Sequence, residues 1–253
     1  MSTWVLLRGL ARDSRHWESF PMLLQNSLGT DSRVIALDLP GNGREWSQRS
    51  PSSVSEMVDA YRRELQTLNA SGPVHLLGLS LGAMAAIDWA ARYPQDLASA
   101  VIVNGSAGGL SRMTQRLRPA AALQLLMGVF DTRLIAREQR ILSVCTNVAD
   151  IGIAAQRWAR HSTSARTSAA NVARQLVAAM KFNLPAEQPR VPMFVIASAG
   201  DRLVSVECSI AIARRWSLLL AMHPSAGHEI ALDDPAWLVR QCVRWDGGAR
   251  DLE

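Results

Sequence analysis

A serine between two glycines, in the stretch Gly78-Leu79-Ser80-Leu81-Gly82, has the residue types and spacing of a nucleophile. It follows the apolar run 74–77 and precedes a helical pattern that begins at Leu81. On a sharp turn from strand to helix, a serine exposes its hydroxyl at the carboxyl end of the strand, and glycines relieve the crowding on either side. The spacing therefore predicts that Ser80 is a nucleophile. A glycine-rich turn with a passive serine is the alternative.

A serine hydroxyl is a poor nucleophile at neutral pH, so it needs a base that an acid orients. In the order serine, acid, histidine, both partners follow Ser80 in the chain. His228 lies in a loop past the last predicted strand, whereas His223 ends that strand. Site residues of open parallel sheets collect beyond the strand ends, which favours His228. Asp201 follows the strand 193–197 at the same end and is the predicted acid; a helix- or turn-capping aspartate is the alternative.

The elements that must position these residues follow an alternating pattern. Apolar runs without polar alternation are typical of strands buried on both faces, and helices between them indicate parallel βαβ units. The sequence therefore predicts an α/β fold with a mostly parallel sheet of about six strands flanked by helices. The predicted strands are 4–7, 34–37, 74–79, 100–104, 193–197 and 218–222, and the predicted helices around them are 16–28, 53–69, 81–93, 206–215 and 235–244.

The middle of the chain breaks this alternation. Between Leu110 and Ala186 the patterns are helical and rich in alanine, leucine and arginine, without a convincing strand. A connection of about 75 residues is too long for a plain loop, so a separate helical substructure is expected. The predicted division is an α/β core of residues 1–109 and 187–253 with a helical insertion of residues 110–186.

The positive charge of the chain is concentrated in this middle segment. The net charge is +5, and residues 110–190 contain 12 basic and 4 acidic residues, so the remainder is negative. One interpretation is a solvated arginine-rich surface. The other is attraction to an anionic substrate or an acidic partner, such as a coenzyme A thioester or an acyl carrier protein. Nucleic acid is disfavoured because the segment has no recognition motif and few aromatic residues.

Composition excludes several other classes of protein. The three cysteines, Cys145, Cys208 and Cys242, are far apart and form no Cys-x-x-Cys pair, so neither a zinc site nor a disulfide framework is predicted. The start of the sequence lacks the pattern of a signal peptide, and no run approaches 18 apolar residues, so no membrane span is expected. We expect a reduced, cytoplasmic protein, with its oligomeric state open.

Taken together, these features resemble the α/β-hydrolase superfamily. The resemblance rests on Ser80, Asp201 and His228, with Leu-Leu-Arg-Gly-Leu after the first strand and Leu-Asp-Leu-Pro-Gly-Asn-Gly after the second, and it covers roughly residues 3–105 and 190–245. Length and layout are similar to small bacterial carboxylesterases of the pimeloyl-carrier-protein methyl ester type and to lyase-like enzymes of menaquinone synthesis. The resemblance implies that the helical insertion is a cap over the active site. It also implies a Ser80–His228–Asp201 triad that cleaves a small ester or thioester through an acyl-enzyme, without metal or organic cofactor.

The resemblance further implies that the backbone N–H groups of Leu10 and Leu81 form an oxyanion hole. The sequence departs from the family at two points. Arg8-Gly9 stands where the family usually has His-Gly, so Arg8 either binds a substrate carboxylate or pairs with a buried aspartate. The first strand begins near residue 3, so the leading hairpin is expected to be missing and the strand 34–38 to be an exposed edge.

Two other functions fit the same residues. A lyase or a C–C bond hydrolase acting on an anionic metabolite would use His228 as its base. A non-catalytic member of the superfamily would bind a ligand, and its serine would be unreactive.

Overall fold

The computed structural model describes residues 2–70, 72–148 and 150–246. Residues 1 and 247–253, which the sequence assigns to the α/β core, lie outside the described residues. At its centre is a six-stranded sheet with the strand order β2-β1-β3-β4-β5-β6, in which every neighbouring pair is parallel. The strands are β1 (Ser2–Leu7), β2 (Ser32–Leu37), β3 (Val74–Leu79), β4 (Leu97–Val103), β5 (Met193–Ser198) and β6 (Leu219–His223). The predicted fold class is confirmed.

Eleven α-helices lie within the described residues: α1 (Phe20–Leu28), α2 (Val54–Thr67), α3 (Leu81–Arg92), α4 (Met113–Arg116), α5 (Pro119–Phe130), α6 (Leu134–Cys145), α7 (Ile151–Ser164), α8 (Ala169–Lys181), α9 (Val206–Arg215), α10 (Ile230–Asp233) and α11 (Pro235–Asp246). The single helix predicted over 16–28 is instead a 3-10 turn (Ser14–Trp17) followed by α1. The break occurs because Glu18 has a positive φ of 53° and Pro21 lies in the first turn of α1. Among the helices described, none has both the length and the apolar character that crossing a membrane requires.

The four inner strands are buried on both faces of the sheet, as the apolar runs predict, whereas the edge strands β2 and β6 are partly exposed. Along β1, Trp4 and Leu6 pack into one hydrophobic cluster with α1 and α11, while Val5 and Leu7 pack into another with α2, α3 and α9. Because side chains alternate between the faces of a strand, a fully apolar run supplies both clusters.

The edge strand β2 is covered by α1, and one side chain takes the place of a neighbouring strand. Gln25 of α1 accepts a hydrogen bond from the Val34 backbone N–H (2.9 Å) and donates one to the Ser32 carbonyl (2.8 Å). An edge strand otherwise presents unpaired backbone groups that invite pairing with another chain. The amide of Gln25 satisfies two of them.

Helices α4 to α8 lie between β4 and β5 in the chain, and the two ends of this helical segment are adjacent. The Gly108 backbone N–H donates to the Phe182 carbonyl (2.9 Å), and Gly108 forms a parallel bridge with Asn183. A Cβ at residue 108 would collide with the side chain of Asn183, so this close approach requires glycine.

Candidate active site

Ser80 lies on the turn between β3 and α3, with strained backbone angles of φ 59° and ψ −113°. A side chain at Gly78 would collide with the Gly82 carbonyl, and one at Gly82 would collide with the Leu7 carbonyl. Both flanking positions of the motif therefore accept only glycine while Ser80 keeps this conformation. The half-buried hydroxyl faces the carboxyl end of the sheet, at the start of α3.

Asp201 and His228 meet in the loops that follow β5 and β6. The Oδ2 atom of Asp201 lies 2.7 Å from Nδ1 of His228, and both side chains are buried. The other carboxylate oxygen of Asp201 accepts hydrogen bonds from the backbone N–H groups of Leu203 (2.8 Å) and Val204 (2.9 Å). Asp201 therefore caps a turn and contacts the histidine at the same time.

The remaining nitrogen of His228, Nε2, is buried and has no hydrogen-bond partner among the residues that the structure describes. Ser80 and His228 line the same cavity, but no hydrogen bond joins the serine hydroxyl to this nitrogen. Burial by itself would lower the pKa of His228, but the charge and hydrogen bond of Asp201, together with the charge of Glu229, raise it above its ordinary value of 6.5.

The other candidate base is engaged elsewhere. His223 accepts a hydrogen bond at Nδ1 from the Ala226 backbone N–H (2.8 Å), and its Nε2 lies 3.3 Å from Asp234. His223 thus braces the loop that carries His228. Asn104, with φ 47°, holds the same loop by donating to the His228 carbonyl (3.0 Å).

The loop after β1 passes directly over Ser80. A Cβ at Gly9 would lie 3.2 Å from the Cβ of Ser80. Leu10 and Leu81 both line the cavity, and within the described ranges their backbone N–H groups donate to no protein acceptor. Such free amides beside a serine are available to a negatively charged oxygen.

The cavity has a volume of about 130 Å³ and mostly apolar walls. The sheet side contributes Met84, Leu203 and Val204, and the helical segment contributes Leu117, Leu125 and Ile141. A small number of polar groups in an apolar pocket is the usual composition of a small-molecule site.

Arg8 forms a buried ion pair with Glu229, with 2.7 Å between Nη2 and Oε2, and lies over the ring of Trp17 at 4.6 Å. Its acidic partner is therefore a glutamate, not the aspartate that the sequence suggested. Glu229, rather than Arg8, forms part of the cavity wall. Burial alone would raise the pKa of Glu229, but the charges of Arg8 and Arg12 lower it.

The sequence analysis did not identify several ionisable residues that line this cavity. They are Arg12, Arg116, Cys145 and Glu229. Glu229 follows His228 directly, and that position is a signal that could have identified it. Arg12 had no local signal, because its ion-pair partner Glu138 (2.8 Å) lies in α6, far along the chain.

The sequence of the chain is similar to those of known hydrolases. A model of the alpha/beta hydrolase family matches residues 4–241. The 2-hydroxy-6-oxononadienedioate/2-hydroxy-6-oxononatrienedioate hydrolase 2 of Pseudomonas putida is 28% identical over 146 residues, which are 56% of this chain and 49% of that protein. The corresponding hydrolase of Escherichia coli K12 is 28% identical over 112 residues, which are 44% of this chain and 39% of that protein. The matched part of the chain thus spans half or less of the length of these curated relatives.

Solved structures share the fold along almost the whole chain. A putative lipase from Acinetobacter baumannii is 21% identical with a TM-score of 0.75, covering 98% of this chain and 84% of its own. A thermophilic esterase from Thermogutta terrifontis is 18% identical with a TM-score of 0.77, covering 99% of this chain and 91% of its own. At such identities the likeness shows a common fold.

Proposed function

The chain belongs to the alpha/beta hydrolase family, and from this premise we propose that it is a serine hydrolase that cleaves a carboxylic ester or thioester through an acyl-enzyme. The observation that carries the proposal is the 2.7 Å contact of Asp201 with His228, which lines the same cavity as Ser80. Among the described residues, the buried Nε2 of His228 has no hydrogen-bond partner, and this supports a role as base because the nitrogen is left free to accept a proton.

In the first half of the reaction, the Ser80 hydroxyl oxygen bonds to the substrate carbonyl carbon and its proton passes to Nε2 of His228. The carbonyl oxygen becomes negatively charged and accepts hydrogen bonds from the N–H groups of Leu10 and Leu81. Each donor of this kind lowers the barrier by about 3–4 kcal/mol. The bond to the leaving oxygen or sulfur then breaks, and the leaving group takes the proton from His228.

In the second half, water attacks the acyl-serine and gives a proton to His228, which returns it to the Ser80 oxygen as the acid product leaves. Asp201 accepts the hydrogen bond from the Nδ1–H of His228 throughout, which keeps Nε2 free to take a proton. The carboxylate also stabilises the ring while it is positively charged.

The helical insertion, residues 110–186, acts in this proposal as a cap over the core of residues 1–109 and 187–253. The two ends of the segment meet at Gly108 and Phe182. Such adjacent ends allow a segment to be inserted between two neighbouring strands without separating them. Leu117, Leu125 and Ile141 of this segment supply part of the apolar wall opposite the core. Such a roof excludes water from the reacting carbonyl and strengthens the oxyanion contacts.

A second candidate is hydrolysis of a C–C bond, because the curated relatives are named as hydrolases of 2-hydroxy-6-oxononadienedioate, a compound whose name contains carboxylates and a ketone but no ester. The same triad would then act on a carbon skeleton rather than on an ester oxygen. Pre-steady-state kinetics with product analysis separates the two: an ester hydrolase releases alcohol in a burst as the acyl-enzyme forms.

The proposal is tested by labelling with a fluorophosphonate and by hydrolysis of p-nitrophenyl hexanoate. The wild-type protein is expected to react with the label and hydrolyse the ester, and Ser80→Ala to lose the label and roughly a thousandfold or more of the rate. Ser106→Ala is the matched control, since Ser106 lines the same cavity. Full labelling or full activity in Ser80→Ala would refute the proposal.

A further inference from the structure

A second cavity, of about 80 Å³, adjoins the one that contains Ser80. The two share the side chains of Leu10, Arg12, Leu125 and Ile141, so they form neighbouring compartments of one site. We call the second cavity the polar chamber; the charged side chains in its wall are Arg12, Asp13, Arg137, Glu138 and Arg166. Its volume is several times what one water molecule needs.

The carboxylates of the polar chamber are already neutralised. Glu138 pairs with Arg12 (2.8 Å), and Asp13 pairs with Arg15 (2.7 Å). Arg137 and Arg166 have no carboxylate within ion-pair distance in the parts of the chain that the structure describes. The chamber therefore carries an excess of positive charge.

This excess includes buried donors without acceptors. Arg137 is only 8% exposed and its Nε has no hydrogen-bond partner among the described residues; the same holds for Nη2 of Arg12, also 8% exposed. Burial, reinforced by the charge of Arg166, lowers the pKa of Arg137. Leaving guanidinium donors buried and unpaired is unfavourable, whereas an anion in the chamber would satisfy them.

The histidines of the chamber do not add to this charge. Burial is the largest cause that lowers the pKa values of His16 and His161. Both rings are therefore neutral at neutral pH, and the arginines alone supply the positive charge.

We propose that the polar chamber binds a carboxylate of the substrate, held by Arg137 and by Arg166 at the rim, while the scissile carbonyl lies at Ser80. The planar guanidinium fork matches a carboxylate in geometry as well as in charge. The substrate is thus an ester or thioester with a carboxylate on its acyl or its alcohol side. This inference rests on the proposed function, whose substrate class it defines.

The acyl side is tested with mono-p-nitrophenyl adipate and p-nitrophenyl hexanoate, which have acyl chains of equal length. Arg137→Gln is expected to lower the ratio of kcat/KM for the charged ester to that for the neutral one by roughly tenfold or more, mainly through KM. Arg133→Gln removes the same charge at an exposed position just before α6 and is expected to leave the ratio unchanged.

The alcohol side is tested in the same variants with p-carboxyphenyl hexanoate and its neutral analogue p-carbamoylphenyl hexanoate. A selective fall of kcat/KM in Arg137→Gln for the charged member of either pair supports the proposed chamber. The pair that is affected shows whether the carboxylate is on the acyl or the alcohol side of the substrate. If Arg137→Gln leaves both ratios at the wild-type value, the proposal is wrong.

Because Arg137 is buried, its replacement could disturb folding, so Arg166→Gln gives an independent measure at an exposed rim position. For the pair of esters that Arg137→Gln affects, Arg166→Gln is expected to lower the ratio of kcat/KM for the charged ester to that for the neutral one by about threefold. The effect is smaller because an exposed charge contributes less. No change in this ratio, in a variant with the wild-type Tm, would also overturn the proposal.

Binding is measured apart from hydrolysis by thermal unfolding with adipate. Adipate should raise the Tm of the wild type and of Ser80→Ala more than hexanamide does, which has the same chain length and no carboxylate, and this difference should be smaller in Arg166→Gln. Adipate binding without serine hydrolysis would refute the proposed function and keep the chamber. Hydrolysis that depends on Ser80, without a preference for charged esters and without adipate binding, would keep the proposed function and refute the chamber.

Discussion

Arg8 and Glu229 form a buried ion pair of 2.7 Å that joins the loop bearing Leu10 to the loop bearing His228. The side chains are 1% and 5% exposed, so neither charge is solvated. Two proposed parts of the machinery, the oxyanion donor and the base, are therefore fixed relative to each other by one electrostatic contact. A buried pair of this kind gives little net stability but defines a geometry.

Glu229→Gln should be strongly destabilising, because it leaves the Arg8 charge buried without its partner. We expect a loss of about 3–5 kcal/mol in the free energy of unfolding. The double variant Arg8→Met with Glu229→Leu should lose less free energy of unfolding than Glu229→Gln, because it leaves no buried charge without a partner. Glu64→Gln, in the partly exposed pair with Arg44, is the control, with an effect below about 1 kcal/mol. Urea unfolding measures the three variants against the wild type; equal losses in the two single variants would contradict this account.

The pKa of His228 predicts how activity depends on pH. Only the neutral ring can take the proton of Ser80, and its pKa lies above 6.5: burial would lower it, but Asp201 and Glu229 raise it. The value of kcat/KM for a neutral ester should therefore rise with pH through a midpoint above 6.5. Asp201→Asn should lower the rate roughly a thousandfold or more and move the midpoint down.

The control for this pH profile is His75→Gln, because His75 lies within β3 and contacts Ser99 rather than the cavity. Its midpoint should equal that of the wild type. A wild-type midpoint below 6.5 would contradict the raised pKa of His228.

The raised pKa of His228 also makes stability depend on pH, and it does so in the direction opposite to activity. A group whose folded-state pKa lies above its unfolded value binds its proton more tightly in the folded protein. The His228 contribution is therefore complete below pH 6.5 and is lost as the pH rises through the folded-state pKa. The difference in unfolding free energy between the wild type and His228→Gln should shrink over this range, and a difference that grows would exclude a raised pKa.

The fold could be predicted from the sequence because its signals are local. Strand β3 and helix α9 have the predicted bounds, since apolar runs and helical periodicity are properties of neighbouring residues. Strand β4 begins at Leu97, three residues before the prediction, because polar Ser99 interrupts the apolar run while pairing in the sheet with His75. Tertiary pairing decided that boundary.

The site was predictable only where its residues follow strand ends. Ser80, Asp201 and His228 each come just after a strand, and parallel strands bring such loops to one edge of the sheet. The pairs Arg8–Glu229 and Arg12–Glu138 join residues 221 and 126 positions apart. No local pattern connects them, and the polar chamber exists only through the packing of α6 and α7 against the loop after β1.

Gly9→Ala should impair catalysis more than stability. The added Cβ would lie 3.2 Å from Ser80 Cβ, so either the Leu10 loop or the serine must shift by a few tenths of an ångström. A small misplacement of donors relative to the reacting carbonyl is expected to lower kcat by roughly tenfold or more. In the control Gly152→Ala, within α7 and outside the cavity, kcat should be unchanged, and the free energy of unfolding should change by no more than about 1 kcal/mol because the added Cβ would also lie 3.2 Å from the capping Oδ1 of Asp150. Wild-type kcat in Gly9→Ala would contradict the placement of the oxyanion donors.

Gln175 is a positioning residue for the same loop, because its side chain, 0% exposed, accepts a hydrogen bond from the Ala11 backbone N–H (2.8 Å). Gln175→Ala should lower kcat by about tenfold with little change in KM, since the amide of Leu10 loses its support while the cavity remains. Asn171→Ala is the matched control: Asn171, one turn earlier in α8, is also buried but bonds the Ser50 backbone N–H (3.0 Å) instead. Each variant should destabilise the fold by about 1–3 kcal/mol. Steady-state kinetics beside urea unfolding distinguishes them, and an equal fall in kcat in both would assign Gln175 a merely structural role.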